Sequence, residues 1–508
     1  MPIEQDAYDA VAYPGYPYPR THPDRLAVMA TLYGLDPAPV ESCRVLEIGC
    51  NEGANLIPMA YAIPGSEFVG FDLAGQPIAR GQQRIRELGL TNIRLFQADL
   101  MQIDGVQSDQ VDGETLGKFD YIIAHGLYAW VPEPVRDRLL ALCHERLAPN
   151  GIAFVSYNAL PGGHVRNMVR DILLHHAAGA EDLEQGVRHG LDLLELIAQA
   201  RSEGDPIRGL LEQETKLLQV KNLQAMYHDE LGSEYHPVLF STFAAHAAKH
   251  GLQYMSESML PPPNDEVFRP EIAGMAKALG EGDPIAEEQI LDFARMRMYR
   301  ETLLCRAGCT VARDLKVEAF SRLRLSSRAE SSPGEEAEGH GFTVAGGVRI
   351  QTQDKTTIAL MERLIEAWPQ SVPFAELVEF LEEKAGVPDE EVPALLSRLV
   401  VSRVIELHAW SAPVSSRIAA RPMASAVSRQ EAAAHARATT LLHFLLGLED
   451  PTVRGLLLLL DGTRDREDLV RALRKEYPEM PEAKLEEGIV PALRFLHRSG
   501  ALLREGFR

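Results

Sequence analysis

Cysteine is scarce in this 508-residue chain: Cys43, Cys50, Cys143, Cys305 and Cys309 form an odd, scattered set lying mostly inside apolar stretches. That excludes a disulfide scaffold and fits a reducing, cytoplasmic compartment. Cys305 and Cys309 have no Cys/His pair at zinc-finger spacing beside them, and no cluster of carboxylates suggests a catalytic metal, so none is expected. Long apolar runs are missing as well. The longest, Gly455–Leu460, is far too short to span a bilayer, and Met1-Pro-Ile-Glu-Gln-Asp6 lacks the basic and apolar parts of a signal peptide, so no membrane insertion is expected. Positive charge is in deficit, with 51 Lys and Arg against 73 Asp and Glu and a net charge of −22. Such a chain, without a dense Lys/Arg run, is a poor nucleic-acid binder, whereas a lysine-bearing protein would meet less resistance.

What is present is a globular composition, 45% hydrophobic and 24% charged, long enough for roughly three domains. Between Arg44 and Gly151 short β-branched or apolar runs alternate with helix-length amphipathic segments, the pattern of an α/β parallel sheet wound by helices. Strands are predicted at Arg44–Ile48, Glu67–Phe71, Ile93–Gln97, Phe119–Ala124 and Ile152–Tyr157, with a sixth after Gly251 and a seventh at Thr302–Arg306. Pro132 and Pro134 open a helix over Glu133–Leu147 that Asn150-Gly151 closes. From Val165 to about Leu239 the period is helical, with Leu183, Val187, Leu191, Leu194 and Ala198 on one stripe, which reads as an insertion.

Ser326–Gly341, rich in Ser, Glu and Gly, reads as a linker. Beyond it two stretches, Ile358–His408 and Pro451–Arg504, each place helices before a short strand, the plan of a winged helix. Their many acids favour protein contact or dimerisation over DNA. The Ala/Ser/Arg-rich Ala412–Ala438 reads as a connector.

The first strand runs into Glu47-Ile-Gly-Cys-Asn-Glu-Gly53, an acid before a glycine turn that opens a helix. A dinucleotide fingerprint would need glycine where Asn51 and Ala54 stand, and an acid there would repel a pyrophosphate. S-adenosylmethionine has no phosphate; it offers a sulfonium, an amino-acid end, a ribose diol and an adenine. Gly49 and Gly53 would let backbone approach it, Glu47 would hold the loop or accept from its ammonium, Asp72 would accept from the ribose hydroxyls and Asp99 from the adenine amine. Each acid alone reads as readily as a helix cap; the order along the strand ends is what unites them.

At these residues the chain resembles the class I S-adenosylmethionine-dependent methyltransferases over roughly residues 40 to 310. Asn51 stands where many members have glycine, a mild departure because Asn tolerates positive φ. Tyr13-Pro-Gly-Tyr-Pro-Tyr-Pro-Arg-Thr-His-Pro-Asp24, Asn55–Ala60, Ala124–Pro132, Ser156–His164, Tyr227-His-Asp-Glu-Leu231 and Tyr299–Arg306 are similar to bacterial methyltransferases that carry a methyltransferase regulatory domain, among them the rickettsial outer-membrane protein lysine methyltransferases. The resemblance implies a doubly wound, seven-stranded Rossmann-like methyltransferase sheet with a helical insertion and C-terminal winged-helix-like α+β domains. It suggests protein lysine as acceptor.

The resulting division is an arm capping the cofactor (1–40), a methyltransferase domain (41–325) with the insertion at about 165–240 and a regulatory segment at about 215–305, a linker (326–345), a winged-helix-like unit (346–412), a connector (413–438) and a second such unit (439–508). Cofactor contacts are expected from Glu47, Gly49, Cys50, Asn51, Gly53, Asn55, Asp72, Leu73, Asp99, Leu100 and His125. His125, Tyr157 and Asn158 are candidates for orienting the acceptor or taking its proton, His125 reading equally as a residue bonded to backbone or cofactor. Tyr16, Tyr18, Arg20, Tyr128 and Trp130 are candidates for an aromatic acceptor pocket, since a dry pocket lowers an amine's pKa and aromatic faces guide a cation. A small-molecule acceptor, a silent cofactor-sensing protein and a homodimer remain open alternatives.

Overall fold

The computed structural model describes residue 11 and residues 13–103, 110–111, 114–177, 183–232, 234–260, 271–333, 340–344 and 347–507. Its centre is a seven-stranded sheet of β1 (Arg44–Ile48), β2 (Glu67–Asp72), β3 (Ile93–Gln97), β4 (Phe119–Ala124), β5 (Leu147–Asn158), β6 (Leu252–Glu257) and β7 (Tyr299–Arg306), in the spatial order β3-β2-β1-β4-β5-β7-β6. The first five strands pair in parallel, and β7 runs antiparallel between β5 and β6. Parallel strands covered on both faces must be apolar on both, which is why they read as unbroken runs of Val, Leu, Ile and Phe. Alternate residues serve opposite cores: Val45, Phe68, Tyr121 and Phe154 on one face, Leu46, Val69, Ile122 and Val155 on the other. Strand order reverses between β1 and β4, so a crevice opens at the carboxyl ends of these strands.

Around the sheet lie α1 (Pro23–Leu32), α2 (Leu56–Ala62), α3 (Gly75–Leu88), α4 (Glu133–Arg146) and, after the insertion α5 (Gly163–Ala177), α6 (Leu183–Gln199), α7 (Pro206–Gln219) and α8 (Leu223–Leu231), the helix α9 (Phe240–Lys249). The insertion has its own small core, in which Val187, Leu194 and Ala198 from the predicted stripe meet Val169, Leu173 and Met226.

The N-terminal segment is built into two cores. Helix α1 sends Leu26, Met29 and Ala30 into the sheet core and Val28 and Leu32 into the core of the first C-terminal unit. At its start Asp24 accepts hydrogen bonds from His408 Nδ1 (2.8 Å), the Ala409 amide (2.6 Å) and the Trp410 amide (2.9 Å). Burial works to raise the Asp24 carboxyl, but its interactions with His408, His22 and Arg25 together hold it below its ordinary range.

Two expected connectors are structured. In place of a linker at 326–345, Arg324–Ser326 pairs with Val372–Pro373 and Glu406–His408, and Glu330–Pro333, His340–Thr343 and Arg349–Thr352 make a second three-stranded sheet. Polar strands cross-bond through backbone and are anchored by the fully buried Phe342, so they need little hydrophobicity to form. The part of that linker at 334–339 and 345 lies outside the described residues. In place of a connector at 413–438, helix Ala426–Ala434 and strand Arg437–Thr439 share one core with the last three helices through Ala432 and Ala438. Small residues pack there by close approach, which composition alone does not reveal.

Asp24→Ala leaves three donors of the inter-unit seam without their acceptor. It is expected to destabilise the chain by about 3 kcal/mol in urea unfolding at neutral pH. Because the carboxyl's pKa is depressed in the folded state, its contribution is lost as pH falls through that lowered value, and wild type and variant converge there.

Candidate active site

The loop from Gly49 to Asn55, between β1 and α2, is bound to the end of β2. The Gly49 and Cys50 amides donate to Phe71 O (2.9 and 3.1 Å), and the Asn51 amide donates to Asp72 Oδ2 (2.8 Å). Asp72 Oδ1 accepts from the Ala74 amide at 2.9 Å, so the carboxylate is fixed at the mouth of the crevice. Gly49 and Asn51 take positive φ (75° and 50°), as the departure from glycine at 51 allows. Gly53 also takes a positive φ (73°), and a Cβ there would lie 2.7 Å from Leu95, so it serves packing behind the loop as well.

The N-terminal arm closes over this loop. Tyr13 O accepts from Asn51 Nδ2 (3.1 Å), and the Tyr18 ring lies 3.9 Å from the His125 ring, centroid to centroid. Together they enclose a cavity of about 480 Å³, within the ~300–1,000 Å³ range of small-molecule sites. Its walls include Glu47 from β1, Gly49, Cys50, Asn51 and Asn55 from the loop, Asp72 and Leu73 at the end of β2, and Asp99 and Leu100 after β3. Asp99 Oδ1 also accepts from the Met101 amide (2.9 Å), capping a short helical turn. The far end is walled by His125, Trp130 and Asn158, with Tyr16 and Tyr18 from the arm.

Four expected residues are placed elsewhere. Tyr157 is fully buried, stacks on Phe243 at 4.1 Å and hydrogen-bonds Thr302 Oγ1 at 3.1 Å. It shares the core face of Val155, so its neighbour Asn158 faces the crevice instead. Tyr128 packs edge-on to Phe243, and its hydroxyl meets His246 Nδ1 at 2.8 Å, away from the cavity. Arg20 pairs with Glu301 at 2.7 Å outside it. Gly53 is the fourth, placed behind the loop as above. Conversely, Tyr13, Arg166, Asp229 and Tyr299 line the cavity and were not singled out. Tyr13, Asp229 and Tyr299 fall within segments carrying the family resemblance, which is the signal that could have found them.

One buried amide organises the site. Asn55 Oδ1 accepts from the Tyr18 amide (2.9 Å) and from His443 Nε2 (2.8 Å), while Nδ2 donates to Thr21 Oγ1 (2.9 Å) and Glu47 Oε1 (2.9 Å). The Tyr18 N–H identifies the oxygen side of the amide, so His443 must donate from Nε2. Burial, assisted by nearby His22, holds His443 well below 6.5, consistent with a neutral ring. Glu47 Oε2 is buried and has no hydrogen-bond partner among the described residues. Burial raises the Glu47 carboxyl to about 8, the Asn55 bond opposes this and Asp72 adds to it. An incomplete carboxylate aimed into such a cavity suits a ligand bearing a cationic donor, as the ammonium of S-adenosylmethionine is. His125 is lowered to about 4 by burial and by Arg20, with Nδ1 3.2 Å from Ser156 Oγ.

A sheet of this order, with a glycine loop after β1 and an acid at the carboxyl end of each of β1, β2 and β3, defines a class I S-adenosylmethionine-dependent methyltransferase. Family models agree: a methyltransferase domain matches residues 46–153, a predicted methyltransferase regulatory domain residues 222–306, and a "PKMT, C-terminal winged helix domain" residues 420–480. An uncharacterised protein of Rickettsia prowazekii is 33% identical over 244 residues, 48% of this chain and 94% of that one. A second, longer one is 33% identical over 323 residues, where the match takes in 63% of this chain but only 56% of the relative. The structure of PKMT2 from Rickettsia typhi in complex with AdoHcy has the same fold, with a TM-score of 0.85 and 24% identity over 96% of this chain and 99% of that one. The chain belongs to the S-adenosylmethionine-dependent methyltransferases that carry a methyltransferase regulatory domain, alongside those rickettsial proteins.

Two outcomes follow from the buried cluster. A carboxyl whose pKa is raised on folding costs nothing below about 4.5 and destabilises increasingly as pH rises through about 8. Glu47→Gln is therefore expected to stabilise the ligand-free chain by on the order of 2 kcal/mol near pH 9, the gain vanishing toward pH 5, in melts across that range. In calorimetry with S-adenosylhomocysteine, Asn55→Ala and His443→Leu are each expected to weaken binding about tenfold. The double variant should be no weaker than Asn55→Ala, with His443→Gln restoring affinity; additive losses would separate His443 from the site.

Proposed function

We propose that the chain transfers a methyl group from S-adenosylmethionine to lysine side chains of a protein substrate. The observation carrying this reading is the character of the cavity's far end. Tyr16, Tyr18, Trp130 and Tyr299 supply aromatic surface, Asn158 an amide and His125 a ring with little proton affinity. The printed names of the Rickettsia typhi neighbour and of the C-terminal family model support a protein acceptor, as does a net charge of −22 facing a cationic partner.

The bound cofactor would supply an electrophilic methyl carbon on a good leaving group. This chain's residues would do the holding. Glu47 would accept from the methionyl ammonium, Asp72 from the ribose hydroxyls and Asp99 from the adenine amine. The arm excludes water, which lowers the acceptor amine's pKa from about 10.4 and exposes its lone pair. A ring held at about 4 cannot retain a proton taken from lysine, so His125 orients through its Ser156 contact, and the lysine gives up its proton to solvent on entering the dry pocket. Alignment of lone pair, methyl carbon and sulfur is then the main catalytic contribution. Trp130 forms the acceptor wall, with its ring 5.0 Å from Tyr235 and the Arg166 guanidinium 5.2 Å above it.

Methyl-labelled cofactor, the full chain and a lysine-rich unfolded protein test this directly. Label is expected in that protein and not in the same protein after full acetylation of its lysines, and Trp130→Ala should lower kcat/KM about tenfold or more. Label appearing only in solvent-extractable metabolites of a lysate would favour a small-molecule acceptor.

A further inference from the structure

Away from the cavity, on the side of the sheet covered by α4 and α9, three side chains converge. Asp137 on α4 places one oxygen, Oδ1, 3.1 Å from His246 Nε2 and 2.8 Å from His250 Nε2. The histidines are four residues apart, on the last turn of α9 and just beyond it, so they share a face of that helix. All three donor atoms lie within 4.8 Å of one another, the single such group among the described residues. Both imidazoles are largely covered, with 17% and 18% side-chain exposure, while the carboxylate faces solvent at 59%.

We propose that Asp137, His246 and His250 form a binding site for a divalent transition-metal ion of the zinc class, independent of methyl transfer. Two imidazole nitrogens and a carboxylate oxygen are the donor set such ions take. Zinc bonds of about 2.0–2.1 Å in tetrahedral geometry separate ligand atoms by roughly 3.3 Å. The two Asp137 distances, 2.8 and 3.1 Å, lie a few tenths of an ångström inside that spacing, and the two imidazole nitrogens lie within 4.8 Å of each other. The outer shell is present as well: the Tyr128 hydroxyl meets His246 Nδ1 at 2.8 Å, which fixes that ring with Nε2 toward the site. Solvent access at Asp137 leaves room for water as a fourth ligand and provides the entry path. An ion there would tie α4 to α9. Because it would bind the folded chain and not the unfolded one, it would raise the melting temperature by mass action.

The test uses Co2+ as a spectroscopic probe and Zn2+ in calorimetry on the full chain, with His250→Ala and Asp137→Asn as variants. His250 bonds Asp137 at the surface, so its loss leaves the core intact, and an unchanged metal-free melting temperature verifies this. One equivalent of Co2+ with nitrogen and oxygen ligation and no thiolate charge-transfer band is expected. Affinity should fall about tenfold or more in each variant, and added Zn2+ should raise the melting temperature of wild type alone. Absence of stoichiometric binding, a thiolate band, or binding that persists unchanged in both variants would overturn the assignment.

Discussion

A single side-chain amide bears the geometry of this site. Asn55 is buried, with both faces of its amide engaged, and its partners come from the arm, the first strand and the last structural unit of the chain. A buried amide that lost one of these would keep an unmet polar group, so all of them must assemble together. The consequence is that the cofactor loop is not a property of the sheet alone. Glu47 is aimed by Asn55, and Asn55 is held in part by His443, which lies 388 positions away.

That dependence gives the C-terminal units a physical role beyond extra surface. Helix α1 divides its apolar side chains between the sheet and the first C-terminal core, and Asp24 pins its start to the strand and turn at 408–410. Arg84 of α3 pairs with Glu431, and the Arg437 guanidinium lies 4.3 Å over the Tyr16 ring of the arm. The arm is therefore clamped between the loop it covers and the unit that follows it hundreds of residues later. A pocket closed in this way can hold a carboxylate short of its hydrogen bonds, as Glu47 is, because the walls cannot relax to satisfy it.

Much of this was legible from residues near one another in sequence. Buried parallel strands announce themselves as continuous apolar runs, and an acid or glycine at their ends stands out against that background, so β1 to β5 and the loop were readable. Asn51 at positive φ matched its chemical tolerance. Tyr157 was misplaced because successive residues of a strand face opposite ways, and only one of Tyr157 and Asn158 could reach the crevice. Tyr128 followed its motif but turned its ring into the aromatic cluster with Phe243, a partner from a helix more than a hundred residues on. The strands at 330–333 and 340–343 and the helix at 426–434 hid in composition, because backbone pairing and alanine packing need few large apolar residues. The Asn55–His443 bond had no signal in sequence at all, since a long-range hydrogen bond leaves no period and no motif.

Hydrogen–deuterium exchange on the intact chain, with and without S-adenosylhomocysteine, measures the shared construction of the pocket most directly. The account predicts that ligand slows exchange in the arm at 13–22, in the loop at 49–55 and also in the segment around 437–446, which touches the ligand only through Asn55 and the arm. Protection confined to the sheet and its loops, with 437–446 exchanging unchanged, would contradict it.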